Sequence, residues 1–323
     1  MTTIPRHAAA LRAAELYYLD NLTMEAISQS LGCSRATVSR LITEARSAGL
    51  VEIVVHRKGR AAATLERVIG ELYGVGVTVV APPPDASDSD RLRHAAAQGA
   101  ALLRAHLAPD QTLGVFCGAT VSILARSLSP GVVPGLQIVQ IAGTGNTFSS
   151  GAEYASATLG RFGAALGARV HHFPVPAFFD SPQTRDAMWA ERSVQRVLRL
   201  QQRANVAVFS LSTLGGRVPG HLYRAGYLQR DELRSLADQG VVGELGTVFL
   251  RADGTTASVA LNDRSSGLPI ERIRQIPRRL CIAVGSQKAD VIRAALRAGV
   301  ITDLIVDDAA AELLALATRA RQA

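Results

Sequence analysis

The chain is short of cysteine, lysine and long apolar runs, and these shortages exclude whole classes of protein. Its three cysteines among 323 residues, Cys33, Cys117 and Cys281, are too scattered for a disulfide framework or a metal-ligand motif. Its apolar runs, such as 77–81 and 280–284, are far shorter than the roughly 20 residues of a membrane-spanning helix. The first residues lack the apolar core of a secretory signal. We therefore expect a cytoplasmic protein without membrane contact, metal or cofactor.

Arginine supplies almost all of the positive charge. The chain has 35 basic and 27 acidic residues, a formal net charge of +8, and Lys58 and Lys288 are its two lysines. A composition so rich in alanine and arginine is typical of a GC-rich genome, so the net charge is weak support for a nucleic-acid partner. For the same reason, the two lysines become candidates for a specific role.

The first 60 residues have the pattern of three short helices followed by a strand. Apolar residues recur at helical spacing over 7–19, and Thr23 and Ser34 are suitable N-caps for two further helices. Gly32 breaks the second helix, and an apolar, strand-like run covers residues 50–55. This layout predicts a winged helix-turn-helix.

The outward face of the third helix carries side chains that suit DNA. Arginine can reach guanine O6 and N7, and hydroxyl side chains suit phosphates or base edges. The residues that we predict at the DNA interface are Thr23, Ser34, Arg35, Thr37, Ser39, Arg40 and Lys58. Residues 1–60 hold eight basic and five acidic side chains, a net charge of +3, so a homodimer or homotetramer is expected. The alternative is an ordinary three-helix packing unit without a DNA partner.

The rest of the chain alternates short apolar strands with amphipathic helices. This rhythm predicts an α/β fold with a doubly wound, mostly parallel sheet. We assign residues 1–57 to the winged helix-turn-helix, 58–74 to a linker helix and 75–323 to the α/β domain. A hairpin with strands 247–251 and 256–261 is expected around the turn Asp253-Gly254.

Three glycine-rich loops follow strands, at the positions where an α/β sheet places its ligands. The loop 113–120 opens a helix whose N–H groups could hold an anion. The loops 140–147 and 284–288 are similar, and the latter offers Lys288 as a point charge for a phosphate. Glycine after a strand often serves chain geometry alone, but together the three loops favour a site for a small polyol or sugar phosphate.

Candidate catalytic residues are few. Glu153 and Glu244 could act as acid or base, although hydrogen bonding to ligand hydroxyls explains them equally well. Cys117 has no evident histidine partner. His171 and His172 are neighbours on a strand and face opposite sides, so they cannot share a metal ion. We predict no catalytic residue.

These motifs together resemble the SorC-type (DeoR-like) sugar-responsive bacterial transcriptional regulators along nearly the whole chain. The segments that carry the resemblance are 34–41, 45–46, 49–51, 114–120, 140–143, Glu244 ahead of 253–254, 285–288, 294–297 and 304–310. The resemblance implies an effector domain similar to sugar-phosphate isomerases and coenzyme A transferases but without their catalysis. It also implies regulation of a carbohydrate-utilisation operon through effector-dependent binding to double-stranded operator DNA.

The resemblance also implies an effector site. Its residues would be Gly118, Ala119, Thr120, Gln140, Gly143, Glu244 and Lys288. Glu153 completes the predicted effector residues because its carboxylate could accept hydrogen bonds from ligand hydroxyls. The chain departs from the family pattern at Phe116-Cys117, where a Trp-Gly pair is frequent, and its second loop lacks an arginine that some phosphate-binding members carry. A neutral sugar or sugar alcohol is therefore an alternative to a phosphorylated effector.

Two other functions stay open at this point. A sugar-phosphate isomerase-like or transferase enzyme with an appended helix-turn-helix would need an acid/base pair, and the sequence offers Glu244 without a clear partner. A DNA-binding scaffold without any ligand would need neither a cavity nor Lys288.

Overall fold

The chain divides into two compact units, Met1–Arg57 and Lys58–Ala323. The computed structural model describes residues 6–20, 22–51, 60–83, 86–214, 221–224 and 227–322. Within these ranges, every helix is too short or too polar to cross a membrane.

The first unit contains three helices around a small apolar core. They are α1 (Arg6–Tyr18), α2 (Met24–Leu31) and α3 (Arg35–Ser47). The side chains buried between them are Ala13, Leu16, Ile27, Val38 and Ile42. Their spacing places one apolar stripe of each helix inward, as the sequence pattern predicts.

Local capping fixes the turn between α2 and α3. The Thr23 hydroxyl accepts a hydrogen bond from the Ala26 N–H at 3.2 Å, and Ser34 caps α3 in the same way. Gly32 ends α2 in the left-handed region, at φ 61°, where glycine has no steric penalty. The helix-turn-helix is thus confirmed, whereas Lys58 and residues 52–55 of the predicted strand 50–55 lie outside the described residues.

The described part of the second unit contains ten strands. They are β1 (Gly76–Val80), β2 (Thr112–Val115), β3 (Gln137–Gln140), β4 (Arg169–His171), β5 (Val206–Phe209), β6 (Ser212–Thr213), β7 (Val241–Leu245), β8 (Val248–Arg251), β9 (Arg278–Ala283) and β10 (Asp303–Asp307). Seven of them form a wholly parallel sheet in the order β1-β10-β9-β5-β2-β3-β4. The other three form a small antiparallel sheet in the order β6-β7-β8.

The described helices of the second unit pack around these two sheets, and several of them cover both faces of the parallel sheet. They are α4 (Arg60–Tyr73), α5 (Asp88–His106), α6 (Ala119–Arg126), α7 (Ala152–Leu166), α8 (Pro182–Ala190), α9 (Arg192–Gln201), α10 (His221–Arg224), α11 (Arg230–Asp238), α12 (Ile270–Ile273), α13 (Ala289–Arg297) and α14 (Asp308–Gln322). Along β9, Leu280 and Ile282 pack with α5, α6 and α7, while Cys281 and Ala283 pack with α4, α13 and α14. This alternation confirms the predicted doubly wound architecture.

The helix that the sequence assigns to a linker, α4, packs within the second unit. It lies against β1 and α14, and its Ile69 is fully buried in the core. The helical segment 182–201 is divided into α8 and α9, because Glu191 between them is extended at ψ 134°.

The order of the strands reverses between β2 and β5. From β2 the chain continues to β3 and β4 on one side, and from β5 it continues to β9 and β10 on the other. The neighbours β2 and β5 therefore diverge at their carboxyl ends, which is where open α/β sheets form a ligand crevice.

The predicted hairpin around Asp253-Gly254 is wrong. The hairpin is β7–β8, closed by Gly246 and Thr247 at φ 51° and 75°. Positive φ at both central residues matches the twist of paired strands, so this two-residue turn forms the hairpin. Residues 256–261 are not a strand, and a 3-10 helix spans Ala260–Arg264.

We predict that Gly254→Ala destabilises the second unit. Gly254 has φ 87°, and a Cβ there would lie 2.7 Å from the Ala298 nitrogen and 2.8 Å from the Ala294 oxygen. Backbone strain and overlap should together lower the free energy of unfolding by about 2–4 kcal/mol. The matched change Gly160→Ala, on exposed helix with open space around the new methyl group, should raise it by about 0.5–1 kcal/mol. Calorimetry of the full chain measures the free energy of unfolding of both variants. Equal changes in the two variants would contradict the strain that we predict at position 254.

Candidate functional site

A cavity of about 170 Å³, here called cavity 1, lies at the carboxyl ends of β2, β3 and β5. It occupies the crevice that the strand order creates. Six of the eight predicted effector residues line it, namely Gly118, Ala119, Thr120, Gly143, Glu244 and Lys288. The three glycine-rich loops of the sequence analysis therefore converge on one site.

The start of α6 supplies backbone donors to cavity 1. Gly118 is the N-cap and provides no side-chain cap. The first intrahelical bond runs from the Ser122 N–H to the Gly118 oxygen at 2.8 Å, so the N–H groups of residues 119–121 precede the helical pattern. The positive end of the helix dipole and the Thr120 hydroxyl make this wall suited to an anion or a hydroxyl oxygen.

Lys288 brings a positive charge to the same cavity. The loop before it is fixed because the Gly285 N–H donates to Asp307 Oδ1 at 3.0 Å. Burial lowers the pKa of Lys288, and Cys281, Glu244 and Asp307 oppose that shift. Its Nζ lies 3.5 Å from the Ser210 Oγ, a long contact for a hydrogen bond. An ammonium held in this way is favourably placed to bind an acceptor on a ligand.

Glu244 is the acidic group of cavity 1. It lies on β7 opposite Ser212, whose hydroxyl donates to the carboxylate, and its Oε2 accepts from the Thr247 N–H at 2.9 Å. Burial raises the pKa of Glu244, while these hydrogen bonds and Lys288 act in the opposite direction. The carboxylate is thus rigidly held, and its remaining lone pairs can accept hydrogen bonds from ligand hydroxyls.

Two predicted effector residues do not line cavity 1. Gln140 is buried, and its amide is occupied by the backbone: Nε2 donates to the Ala142 oxygen at 2.8 Å, and Oε1 accepts from the Phe173 N–H at 3.0 Å. Glu153 is exposed in the first turn of α7. Gln140 therefore organises the loop behind Gly143, and Glu153 lies away from the cavity wall.

Several wall residues were not predicted from the sequence. Ser210 and Ser212 follow β5, and the end of that strand could have been recognised as the neighbour of β2. Tyr154 and Tyr227 come from a helix and a loop without any motif. Cys117 also lines the wall, but burial raises the pKa of its thiol to about 12, so it is not a nucleophile at neutral pH.

A second cavity of about 830 Å³, here called cavity 2, lies beside the first. Thr144 and Tyr227 line both cavities. The Tyr227 hydroxyl donates a hydrogen bond to the backbone carbonyl oxygen of Thr144 at 2.8 Å. Across the described ranges, no cluster of three or more His, Cys, Asp or Glu side chains could hold a metal ion in either cavity.

The first unit presents a separate polar surface on α3. Arg35, Ser39 and Arg40 are exposed, and the Arg35 guanidinium lies 3.4 Å from the Glu25 carboxylate. Thr37 is half-buried, with its hydroxyl 2.9 Å from that of Ser34. The three exposed side chains lie on the surface of α3, and their contact with the major groove stays a prediction.

The chain is similar to known proteins over nearly its whole length. The family model Sugar-bind, described as "Putative sugar-binding domain", matches residues 59–315. The chain is 29% identical over 309 residues to the deoxyribonucleoside regulator of Bacillus subtilis (strain 168), covering 94% of this chain and 96% of that protein. It is 27% identical over 309 residues to the erythritol catabolism regulatory protein EryD of Brucella abortus (strain 2308), covering 94% and 95%.

Solved structures give the same result. A domain of "a possible sugar-binding transcriptional regulator" from Arthrobacter aurescens TC1 matches with a TM-score of 0.74 and 40% identity, over 79% of this chain and 97% of that one. The full-length sorbitol operon regulator SorC of Klebsiella pneumoniae shares the fold, with a TM-score of 0.83 and 22% identity over 97% and 100%. Because the relatives are named as regulators, the isomerase-like alternative is not favoured. The chain belongs to the Sugar-bind family of SorC-type, DeoR-like transcriptional regulators, and it is a DNA-binding regulator rather than an enzyme.

Proposed function

We propose that the chain controls a carbohydrate-utilisation operon, and that a small sugar, polyol or sugar phosphate in cavity 1 gates its affinity for operator DNA. The observation that carries this proposal is the placement of donors and acceptors around one small space. The N-terminus of α6 and Lys288 offer positive charge, while Glu244 offers an acceptor for hydroxyls. A ligand with several hydroxyls, or with hydroxyls and one anionic group, satisfies both walls.

The size of cavity 1 supports a ligand of one sugar unit. Its volume of about 170 Å³ is below the range of roughly 300–1,000 Å³ that is usual for drug-sized ligands. The names of the similar proteins cover a deoxyribonucleoside, erythritol and sorbitol, which are small polyhydroxylated compounds or contain such a unit. Either a phosphate or a hydroxyl suits the start of α6, so both phosphorylated and neutral effectors are included.

Gating follows from a population shift. An effector that binds one arrangement of the regulator better than another changes the fraction of molecules that can engage the operator. The protein acts in the cytoplasm, where operator DNA is accessible, and it works as a homodimer or homotetramer. Two recognition helices are needed because the few contacts of one helix give weak binding to a half-site.

Glu244→Gln should remove effector binding while leaving the fold intact. The test is a melting-temperature screen of the full chain with erythritol, D-ribose, D-sorbitol, D-ribose 5-phosphate and D-sorbitol 6-phosphate. A ligand that binds at 100 times its Kd stabilises the folded chain by about 2.7 kcal/mol. The variant should bind the ligand about 1.5–3 kcal/mol more weakly, since a charged hydrogen-bond acceptor is replaced by a neutral amide. Its stabilisation at the same ligand concentration should therefore fall well below that of the wild type.

Glu153→Gln is the matched control for this change. It removes the same charge from an exposed side chain outside cavity 1, so the ligand-induced shift should persist. The proposal would be overturned if no compound of the screen shifted the wild type, or if both variants lost the shift equally.

DNA binding and effector response should separate between the two units. Arg40→Ala should reduce affinity for a duplex from the region upstream of the chain's own gene by about 1–3 kcal/mol, with the effector-induced melting shift intact. Lys288→Ala should instead reduce the effector-induced melting shift and leave the affinity for DNA unchanged. Arg12→Ala, which removes an exposed arginine of α1 that pairs with Glu15, serves as the control in gel-shift titrations at low salt. Loss of basal DNA binding in a folded Lys288 variant would contradict this division.

Effector affinity should fall at both ends of the pH scale. Lys288 binds as the ammonium, so affinity falls as pH rises through its pKa, which burial holds below the ordinary 10.5. Glu244 accepts as the carboxylate, so affinity falls as pH drops through its pKa, which burial holds above the ordinary 4.5. Titration calorimetry with the best-binding compound of the screen should give a bell-shaped profile. Lys288→Met should abolish the fall in effector affinity at alkaline pH. An unchanged fall would contradict the role of the Lys288 ammonium in effector binding.

A further inference from the structure

We propose that Tyr227 limits the effector to a single sugar unit by separating cavity 1 from cavity 2. The proposal rests on the proposed function, since it takes cavity 1 as the effector site. Tyr227 and Thr144 line both cavities, so they form the boundary between them. The phenol hydroxyl donates to the Thr144 oxygen at 2.8 Å and also contacts the Asn146 side chain. The aromatic ring is therefore tethered at its outer end rather than free to rotate away.

The backbone oxygen of Thr144, which accepts the hydrogen bond from Tyr227, is held in place by the residues on either side. On one side of Thr144, the Gly143 N–H donates to the Ser266 Oγ at 3.0 Å. On the other, the Gly145 oxygen accepts from the Ala177 N–H at 2.9 Å. A Cβ at Gly143 would lie 2.2 Å from the Val175 oxygen, so the loop is pressed against the neighbouring segment. The position of the partition is thus fixed by the backbone.

Cavity 2 has the chemistry of a site for a second sugar unit. Its volume of about 830 Å³ lies within the usual range for bound organic ligands. Its wall combines the aromatic ring of Phe178, which stacks on Phe249 with centroids 5.7 Å apart, with the ion pair of Glu232 and Arg264. Aromatic faces and charged hydrogen-bonding groups recognise the two sides of a sugar ring. With the partition removed, a glycoside of the effector could extend from cavity 1 into this space.

The central variant is Tyr227→Ala, with Tyr227→Leu as a milder second variant that keeps an apolar side chain in the core. Tyr227→Phe is the first control, because it removes the hydroxyl but keeps the ring in place. Leu228→Ala is the second, because Leu228 lines cavity 2 but not cavity 1, so its truncation enlarges cavity 2 without joining the two.

Labelling of Cys117 tests the partition without any sugar. Cys117 lines cavity 1, whereas Cys281 is fully buried, and Cys33→Ser removes the remaining thiol. Alkylation of the full chain by N-ethylmaleimide and by fluorescein-5-maleimide is followed by mass spectrometry of the Cys117 peptide. The thiolate is the reactive species and burial raises the pKa of the Cys117 thiol, so all variants are labelled at the same alkaline pH. Relative to the rate with N-ethylmaleimide, the rate with the bulky reagent should rise about tenfold in Tyr227→Ala and Tyr227→Leu, because the opening to Cys117 is wider. Both controls should stay at the wild-type rate. An unchanged rate in both variants would overturn the partition.

Melting temperatures with D-sorbitol and with maltitol, its glucosyl derivative, test the size limit. Maltitol should stabilise Tyr227→Ala but not the wild type, Tyr227→Phe or Leu228→Ala. Stabilisation of the wild type by maltitol as strong as by D-sorbitol would overturn the limit. The two proposals fail separately: if no single-unit compound of the earlier screen stabilises the wild type, the proposed function fails, while Cys117 labelling still decides whether Tyr227 separates the cavities.

Discussion

The divergence of β2 and β5 is the constraint on which the site depends. The two strands are neighbours in the sheet, but the chain leaves them towards opposite edges. Their following segments therefore separate, and a crevice opens at their carboxyl ends. Loops, helix starts and the small β6–β8 sheet close around that crevice and form cavity 1. Without the parallel order of the sheet, the residues that line the cavity would have no common location.

Opposite charges inside this crevice give it a preference for polar ligands. Burial lowers the pKa of Lys288 and raises that of Glu244, so for each group the neutral form is favoured relative to water. Their mutual attraction and the hydrogen bonds from Ser212 and Thr247 offset part of this cost. A ligand that supplies both an acceptor and hydroxyl donors completes the set of hydrogen bonds. Cavity 1 thus presents fixed donors and acceptors of hydrogen bonds on its walls.

The two units differ in size and in the groups that they present. The first is a small three-helix unit that exposes Arg35 and Arg40 on α3, and its core is made of a few apolar side chains. The second is more than four times as long and contains both cavities. In the proposed function, an effector changes the DNA-binding equilibrium only by its difference in affinity for two arrangements of the regulator. The partition formed by Tyr227 would decide which compounds can cause that change.

The sequence by itself determined the helix-turn-helix, the parallel α/β class and three of the loops that meet at the site. Thr23, Gly32 and Ser34 were readable because capping and left-handed turns act over a few residues. The hairpin at Gly246-Thr247 and the walls of the cavities were decided only by the tertiary structure. Tyr227 acquires its role from Thr144, 83 residues away in the chain, and such pairings depend on the order of the strands, which no local pattern encodes.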